Sequence, residues 1–199
     1  MITESCQSVF FCPFKAEATL ISANLNDCRR INSQTWSSEK TMIFTWNGAG
    51  FLPMQKFLDC FPIDKLREKN IFLFGSAGSV DDSHQPGDIF CLNKVFYEKK
   101  CFELNGLGEI PQITALTKDT PVLSDILRQN IFERNGSCLI DQESYHFIEY
   151  FKKNLIETRI IRFVSDTPSF PFRLPFAKTL ITRFTEKFKE FKDCLTHPR

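Results

Sequence analysis

Four apolar runs in this chain end in polar groups, and three of them lead to a carboxylate. Ile160-Ile161 runs into Arg162-Phe163-Val164-Ser165-Asp166. Val9-Phe10-Phe11 is followed by Glu17, and Cys138-Leu139-Ile140 by Asp141-Gln142-Glu143. The fourth run, Ile71-Phe72-Leu73-Phe74, ends in Gly75-Ser76-Ala77-Gly78. An open α/β sheet gathers its ligand at the carboxyl ends of its strands. Four strands that each deliver polar groups at that end predict one site assembled from distant segments. Carboxylates gathered in this way point to carboxylate chemistry on a small ligand.

The elements that must carry these groups are readable from periodicity. Residues 9–12 and 41–45 read as strands, the second ending at Trp46-Asn47-Gly48-Ala49-Gly50. A helix follows, with Phe51, Met54, Leu58 and Phe61 at spacings of three and four and Pro53 in its first turn. Residues 71–74 form a strand that passes into a glycine loop at 75–78. Residues 81–87 are a polar loop with Pro86-Gly87 as turn signal, and 88–97 a strand. A loop at 106–111 precedes a strand at 112–116. Residues 122–134 read as a helix with Leu123, Ile126, Leu127 and Ile131 aligned, stopped by Asn135-Gly136. Then come a strand at 138–140, a helix at 143–154 with Tyr145, Ile148, Phe151 and Leu155 inward, and a strand at 158–164. Beyond the proline-containing loop 167–174, a last helix carries the stripe Ala177, Leu180, Phe184, Phe188, Phe191 and Leu195. Strands alternating with helices imply an α/β fold. The expectation is three αβα layers around a central mixed, twisted sheet, in one domain over residues 1–199.

Composition narrows the function classes. A formal net charge of +1 speaks against a nucleic-acid partner, which asks for a clearly basic face. The basic residues of the last helix are interleaved with Glu186, Glu190 and Asp193, so they read as a solvated face. The 22 Phe against 2 Trp and 3 Tyr suggest a core built with Phe. The 8 Cys form no C-x-x-C pair and are scattered, which reads as reduced thiols serving as small hydrophobes. His84, His146 and His197 stand at no metal-ligand spacing. The start of the chain has no signal-peptide pattern and no apolar stretch reaches the length of a membrane span. A soluble, cytoplasmic protein is expected.

In their order and spacing the four fragments resemble the purine nucleoside phosphorylase and nucleosidase family. The likeness is strongest to methylthioadenosine/S-adenosylhomocysteine nucleosidases and futalosine hydrolases. Four matches carry it, from Val9 to about Asp166. They are the strand and Glu in Phe10-Phe11-Cys12-Pro13-Phe14-Lys15-Ala16-Glu17, the turn Gly75-Ser76-Ala77-Gly78 with Gly87-Asp88 following, Asp141-Gln142-Glu143-Ser144, and Arg162-Phe163-Val164-Ser165-Asp166. The resemblance implies cleavage of an N-glycosidic bond through an oxocarbenium-like sugar. It gives Asp166 the role of acid toward the purine N7, its pKa raised by burial, and Ser165 that of orienting Asp166 at the base. Glu143 would accept hydrogen bonds from the ribose hydroxyls, with Gln142 beside it where the family usually has Met. Arg162 and Ser76 would help position the ribose and the water. Glu17 would activate the water. The residues alone also admit plainer roles: Asp166 as cap of the turn into Thr167-Pro168, Glu143 as a helix N-terminal acid, Glu17 as a surface acid, and Arg162 as a structural partner of Asp141.

Phosphorylases of the family carry arginines for phosphate. Here the corresponding places offer Lys15 and Leu73, so water is the expected nucleophile. An aromatic that usually stacks on the base falls at Pro121. This change and Gln142 tilt the expected substrate toward futalosine or aminodeoxyfutalosine, nucleosides of menaquinone biosynthesis. The alternatives are a methylthioadenosine/S-adenosylhomocysteine nucleosidase, and a non-catalytic descendant that binds a nucleoside or a protein. The resemblance implies no metal or other cofactor, and a homodimer.

Overall fold

The computed structural model describes residues 2–25, 27–171 and 178–196, and of 193, 195 and 196 the backbone alone. The expected stripe member Ala177, the side chain of Leu195, His197, and loop residues 172–174 lie outside that description. In chain order the strands are β1 (Ser8–Cys12), β2 (Arg29–Arg30), β3 (Thr35–Ser37), β4 (Thr41–Thr45), β5 (Asn70–Ser79), β6 (Ile89–Tyr97), β7 (Lys100–Glu103), β8 (Gln112–Thr117), β9 (Leu139–Asp141) and β10 (Thr158–Asp166). The helices are α1 (Lys15–Asn24), α2 (Phe51–Asp59), α3 (Asp125–Asn135), α4 (Ser144–Lys153) and α5 (Lys178–Thr196). None of the described helices is long and apolar enough to cross a membrane.

The strands form one mixed sheet, and β5 is its hub. β1 runs parallel to β4 on one side and to β5 on the other. β5 also pairs in parallel with β10, and with β9 antiparallel. From β10 the sheet continues through β6 and β8 to β9, so β5, β10, β6, β8 and β9 close a ring. Along β5, β1 pairs with residues 70–73 and β9 with 78–79, while β10 lies along the opposite edge. Between Leu73 and Gly78 that first edge therefore has no strand partner, and its main-chain groups are open to side chains.

Alternation along the strands divides the core into two layers. Phe10, Phe72, Phe74, Ile161 and Phe163 face α1 and α5, where Ala18, Ile21, Leu180, Phe184 and Phe188 complete the packing. Val9, Phe11, Ile71, Leu73, Ile160 and Val164 face α2 and α4, meeting Met54, Leu58, Tyr145, Ile148 and Phe151. The phenylalanines are core residues, as expected; Phe10 and Phe72 stack with centroids 4.6 Å apart. The three αβα layers around a mixed sheet agree with the sequence reading.

Four local readings need correction. Gly75-Ser76-Ala77-Gly78 is not a loop but the second half of β5. The helix α3 begins at Asp125, so Leu123 precedes it; Leu123, Ile126 and Leu127 are open to solvent, Ile131 is partly buried, and the buried residue of α3 is Arg128. Leu155 does not face inward; it follows α4 with a left-handed φ of 57° and is 88% exposed. The cysteines divide: Cys6, Cys12, Cys91 and Cys138 are buried, whereas Cys60 and Cys101 are exposed.

Candidate active site

A cavity of about 340 Å³ opens where β5 is left without a partner. Glu17, Ser76, Gln142, Glu143, Ser165 and Asp166 all line it. Six of the seven residues singled out in the sequence are thus brought together, from α1, β5, the β9–α4 junction and the end of β10. The seventh, Arg162, is fully buried and lies beneath the cavity rather than on its wall. Pro121, Val122 and Leu123 add an apolar wall before α3.

Glu17 is 1% exposed, so it is no surface acid. It stands in the first turn of α1, where Oε2 accepts the Phe14 N–H at 2.9 Å, the backward half of a capping box. Oε1 accepts both the N–H and the hydroxyl of Ser76, each at 2.7 Å. Ser76 can donate its N–H sideways because neither β1 nor β9 reaches it. Burial raises the Glu17 pKa above the usual carboxylate range, while the bonds from Ser76 and Phe14 work against that rise. Three of about four acceptor sites of the carboxylate are used, which leaves room for one further donor such as a water.

Glu143 is the N-cap residue of α4 and is also buried. Its Oε1 accepts the Gly50 N–H at 2.7 Å, and its Oε2 lies 3.3 Å from Arg162 Nη2. Gly50 precedes α2 with a φ of 83°, a conformation that glycine adopts without strain and that aims its N–H at the carboxylate. Burial pushes the Glu143 carboxyl up to about 7; Arg162 opposes this and Asp141 adds to it. Arg162 also donates from Nε to Asp141 Oδ2 at 2.9 Å. Asp141 is held further by the Thr117 hydroxyl at 2.8 Å and by Ser144, which donates to it from both hydroxyl and backbone. Arg162 is therefore the structural partner of Asp141 and the backing of Glu143. Its Nη1 has no hydrogen-bond partner and sits against Gly75, where an added Cβ would come within 2.5 Å of it.

At the end of β10, Ser165 Oγ bonds Asp166 Oδ1 and lies 3.2 Å from the Ala77 carbonyl. Asp166 is 4% exposed. Its second oxygen is taken by Arg128 Nη2 in a buried ion pair. Arg128 is held by two carbonyls as well, Ser79 at 2.8 Å from Nη1 and Val122 at 3.1 Å from Nε. The sequence reading missed Arg128, because periodicity looks for apolar residues and the inward face of α3 carries a cation. Gln142 donates to the Asp119 carbonyl at 3.2 Å and lies half-buried on the wall. Lys15 is exposed and Leu73 is in the core, so neither supplies a cation to the cavity.

No protein-family model and no curated protein sequence matches the chain. Solved structures do. An MTAN from Chlamydia trachomatis, bound to MTA, superposes with a TM-score of 0.70 over 93% of this chain and 94% of that one, at 13% identity. An S-adenosylhomocysteine nucleosidase from Streptococcus pyogenes gives 0.67 at 14% identity over 98% of this chain and 97% of that one. Futalosine hydrolase of Helicobacter pylori gives 0.69 at 11% identity, covering 95% of this chain and 98% of that one. The chain has the fold of the purine nucleoside phosphorylases and nucleosidases, as the sequence resemblance implied. At these identities the likeness speaks for the fold, and the chemistry rests on the cavity.

Proposed function

We propose that this chain is a purine nucleosidase, which splits the bond between a purine and a ribose with water. One observation carries the reading: Glu17, Glu143 and Asp166, far apart in the sequence, line a single cavity together with Ser76 and Ser165. In the proposed step the C1′–N9 bond breaks and its electron pair moves onto the base. Asp166 gives a proton to N7, which neutralises the departing purine. Glu17, held by Ser76, takes a proton from the water whose oxygen bonds to C1′. One proton leaves Asp166 and one reaches Glu17, and exchange with solvent restores both. Glu143 offers its oxygens to the ribose hydroxyls, and Arg162 keeps Glu143 and Asp141 in place from behind. The absence of an arginine at the positions of Lys15 and Leu73 supports water over phosphate as nucleophile.

The finer reading is a futalosine or aminodeoxyfutalosine hydrolase of the cytoplasm, acting in menaquinone biosynthesis as a homodimer. Gln142 and Pro121 on the cavity wall support it. Methylthioadenosine and S-adenosylhomocysteine are the competing substrates. The Asp166–Arg128 pair favours a second reading, a nucleoside-binding protein without turnover, since an acid engaged by a cation is not free to deliver a proton.

The test is incubation with these four nucleosides, with and without phosphate, while free base is measured. Base release independent of phosphate is expected, and Asp166→Asn should lower it by about 100-fold or more. Release that needs phosphate would make the chain a phosphorylase. Tight nucleoside binding without release would establish the second reading, and full activity of Asp166→Asn would remove the assigned acid.

A further inference from the structure

Arg128 is a buried cation in the cavity wall that the proposed reaction does not use. Its guanidinium carries five N–H donors and no acceptor. Three point to fixed partners: the Val122 carbonyl, the Ser79 carbonyl and Asp166 Oδ2. Two N–H groups are left, one on Nη1 and one on Nη2, and Arg128 belongs to the cavity lining. Gly78 makes room for this arrangement, because a Cβ there would lie 3.0 Å from Asp166 Oδ2 and 3.2 Å from Arg128 Nη2. The acid and the guanidinium therefore border the cavity side by side.

We infer that Arg128 selects purines with an oxo group at position 6 over those with an amino group. The inference rests on the nucleosidase reading, in which Asp166 faces N7. The atom next to N7 on that edge of a purine is the 6-substituent, so the neighbour of Asp166 meets it. A 6-oxo group is an acceptor and takes an N–H from Arg128. O6 and N7 together form the acceptor pair that arginine grips with two parallel bonds in other settings. A 6-amino group is a donor; against a guanidinium it finds no acceptor and leaves buried N–H groups unpaired on both sides. Arg128 also bears on the bond cleavage. The electron pair that leaves C1′ spreads over N9, N7 and O6 of a 6-oxopurine, where a cation at O6 stabilises it. Arg128 thus supports the departure of the base even while Asp166 remains paired.

The experiment compares hypoxanthine with adenine as free bases, by calorimetric titration. It also compares phosphate-independent turnover of 5′-methylthioinosine with that of methylthioadenosine. The wild-type chain is expected to favour the 6-oxo partner by about tenfold or more in both assays. In Arg128→Gln the amide can present either its N–H or its carbonyl, so the preference should fall below about threefold. Equal or tighter binding of adenine by the wild type overturns the inference, as does a preference that survives in Arg128→Gln. Far-UV circular dichroism verifies the fold of the variant. If it does not fold, Arg128→Lys retains the charge without the fork and should show a reduced preference, and the wild-type comparison decides by itself. The two proposals fail separately. An Arg128-dependent preference for hypoxanthine without turnover of any nucleoside removes the hydrolase and keeps the selectivity. Turnover without preference removes the selectivity and keeps the hydrolase, and the absence of both base binding and nucleoside turnover overturns both.

Discussion

Two arginines of this molecule are buried against carboxylates, yet their surroundings make them different parts. Arg162 lies on β10 in the centre of the sheet, fully enclosed, and contacts Asp141, Glu143 and Ser144. Arg128 lies on α3, whose outer side is open to solvent, and its head borders a cavity. Their carboxylates Asp141, Glu143 and Asp166 all border the cavity, but of the two cations only Arg128 does. Burial of an ion pair alone does not tell a cation enclosed in the core from one on a cavity wall. Access to the cavity does.

Removing each cation in turn is the sharpest way to break the contrast. Arg162→Met should cost about 3–5 kcal/mol in denaturant unfolding, because it strands two carboxylates in the interior. Arg128→Met should cost less, about 1–3 kcal/mol, since it leaves one carboxylate, which keeps the Ser165 hydroxyl. Equal losses would mean that the two sites are not different after all. The neighbouring glycines repeat the comparison on a smaller scale. Gly75→Ala drives a methyl group into Arg162 Nη1, part of a guanidinium held through Nε and Nη2 by Asp141, Glu143 and Ser144, and should cost about 1–3 kcal/mol of stability. Gly78→Ala presses on side-chain ends that can give way into the cavity. It should therefore change ligand affinity in titrations more than the melting temperature.

The smallest effect concerns protons. The Glu143 carboxyl is raised in the folded state from its ordinary 4.5 to about 7. The folded chain then binds a proton that the unfolded chain has released, so this group's contribution is complete below about 4.5 and fades as pH rises to about 7. Stability measured across that window should decline in the wild type, and the decline should be shallower in Glu143→Gln. An unchanged slope in the variant would assign the proton elsewhere.

Much of this arrangement was legible in the sequence, for a physical reason. β1, β5, β9 and β10 are apolar runs because they are buried along most of their length on both faces, and the polar groups at or just beyond their ends mark the cavity. What escaped is equally instructive. α1 has no polar side chain at its N-cap, where Phe14 stands, and its apolar face is weak, so Glu17 was read without the helix that holds it. β2, β3 and β7 are short, and two of them are largely exposed, so they lack the apolar signature. The glycines of β5 suggested a turn, whereas Gly75 is there because Arg162 needs the space. Arg128 was invisible because its importance comes from Asp166, 38 residues away, and from no local pattern.

The hub position of β5 has a bearing on how the molecule is made. A chain growing from its amino end carries Glu17 and Ser76 early, but the partner along the other edge of β5 arrives last, and Ser165 reaches back 88 residues to Ala77. Contacts of such sequence separation close slowly. Until synthesis has passed Asp166, the hub has one flank bare and the cavity lacks Ser165 and Asp166. The cavity is therefore completed late in assembly, and a chain that stops short of Ser165 holds only part of its lining.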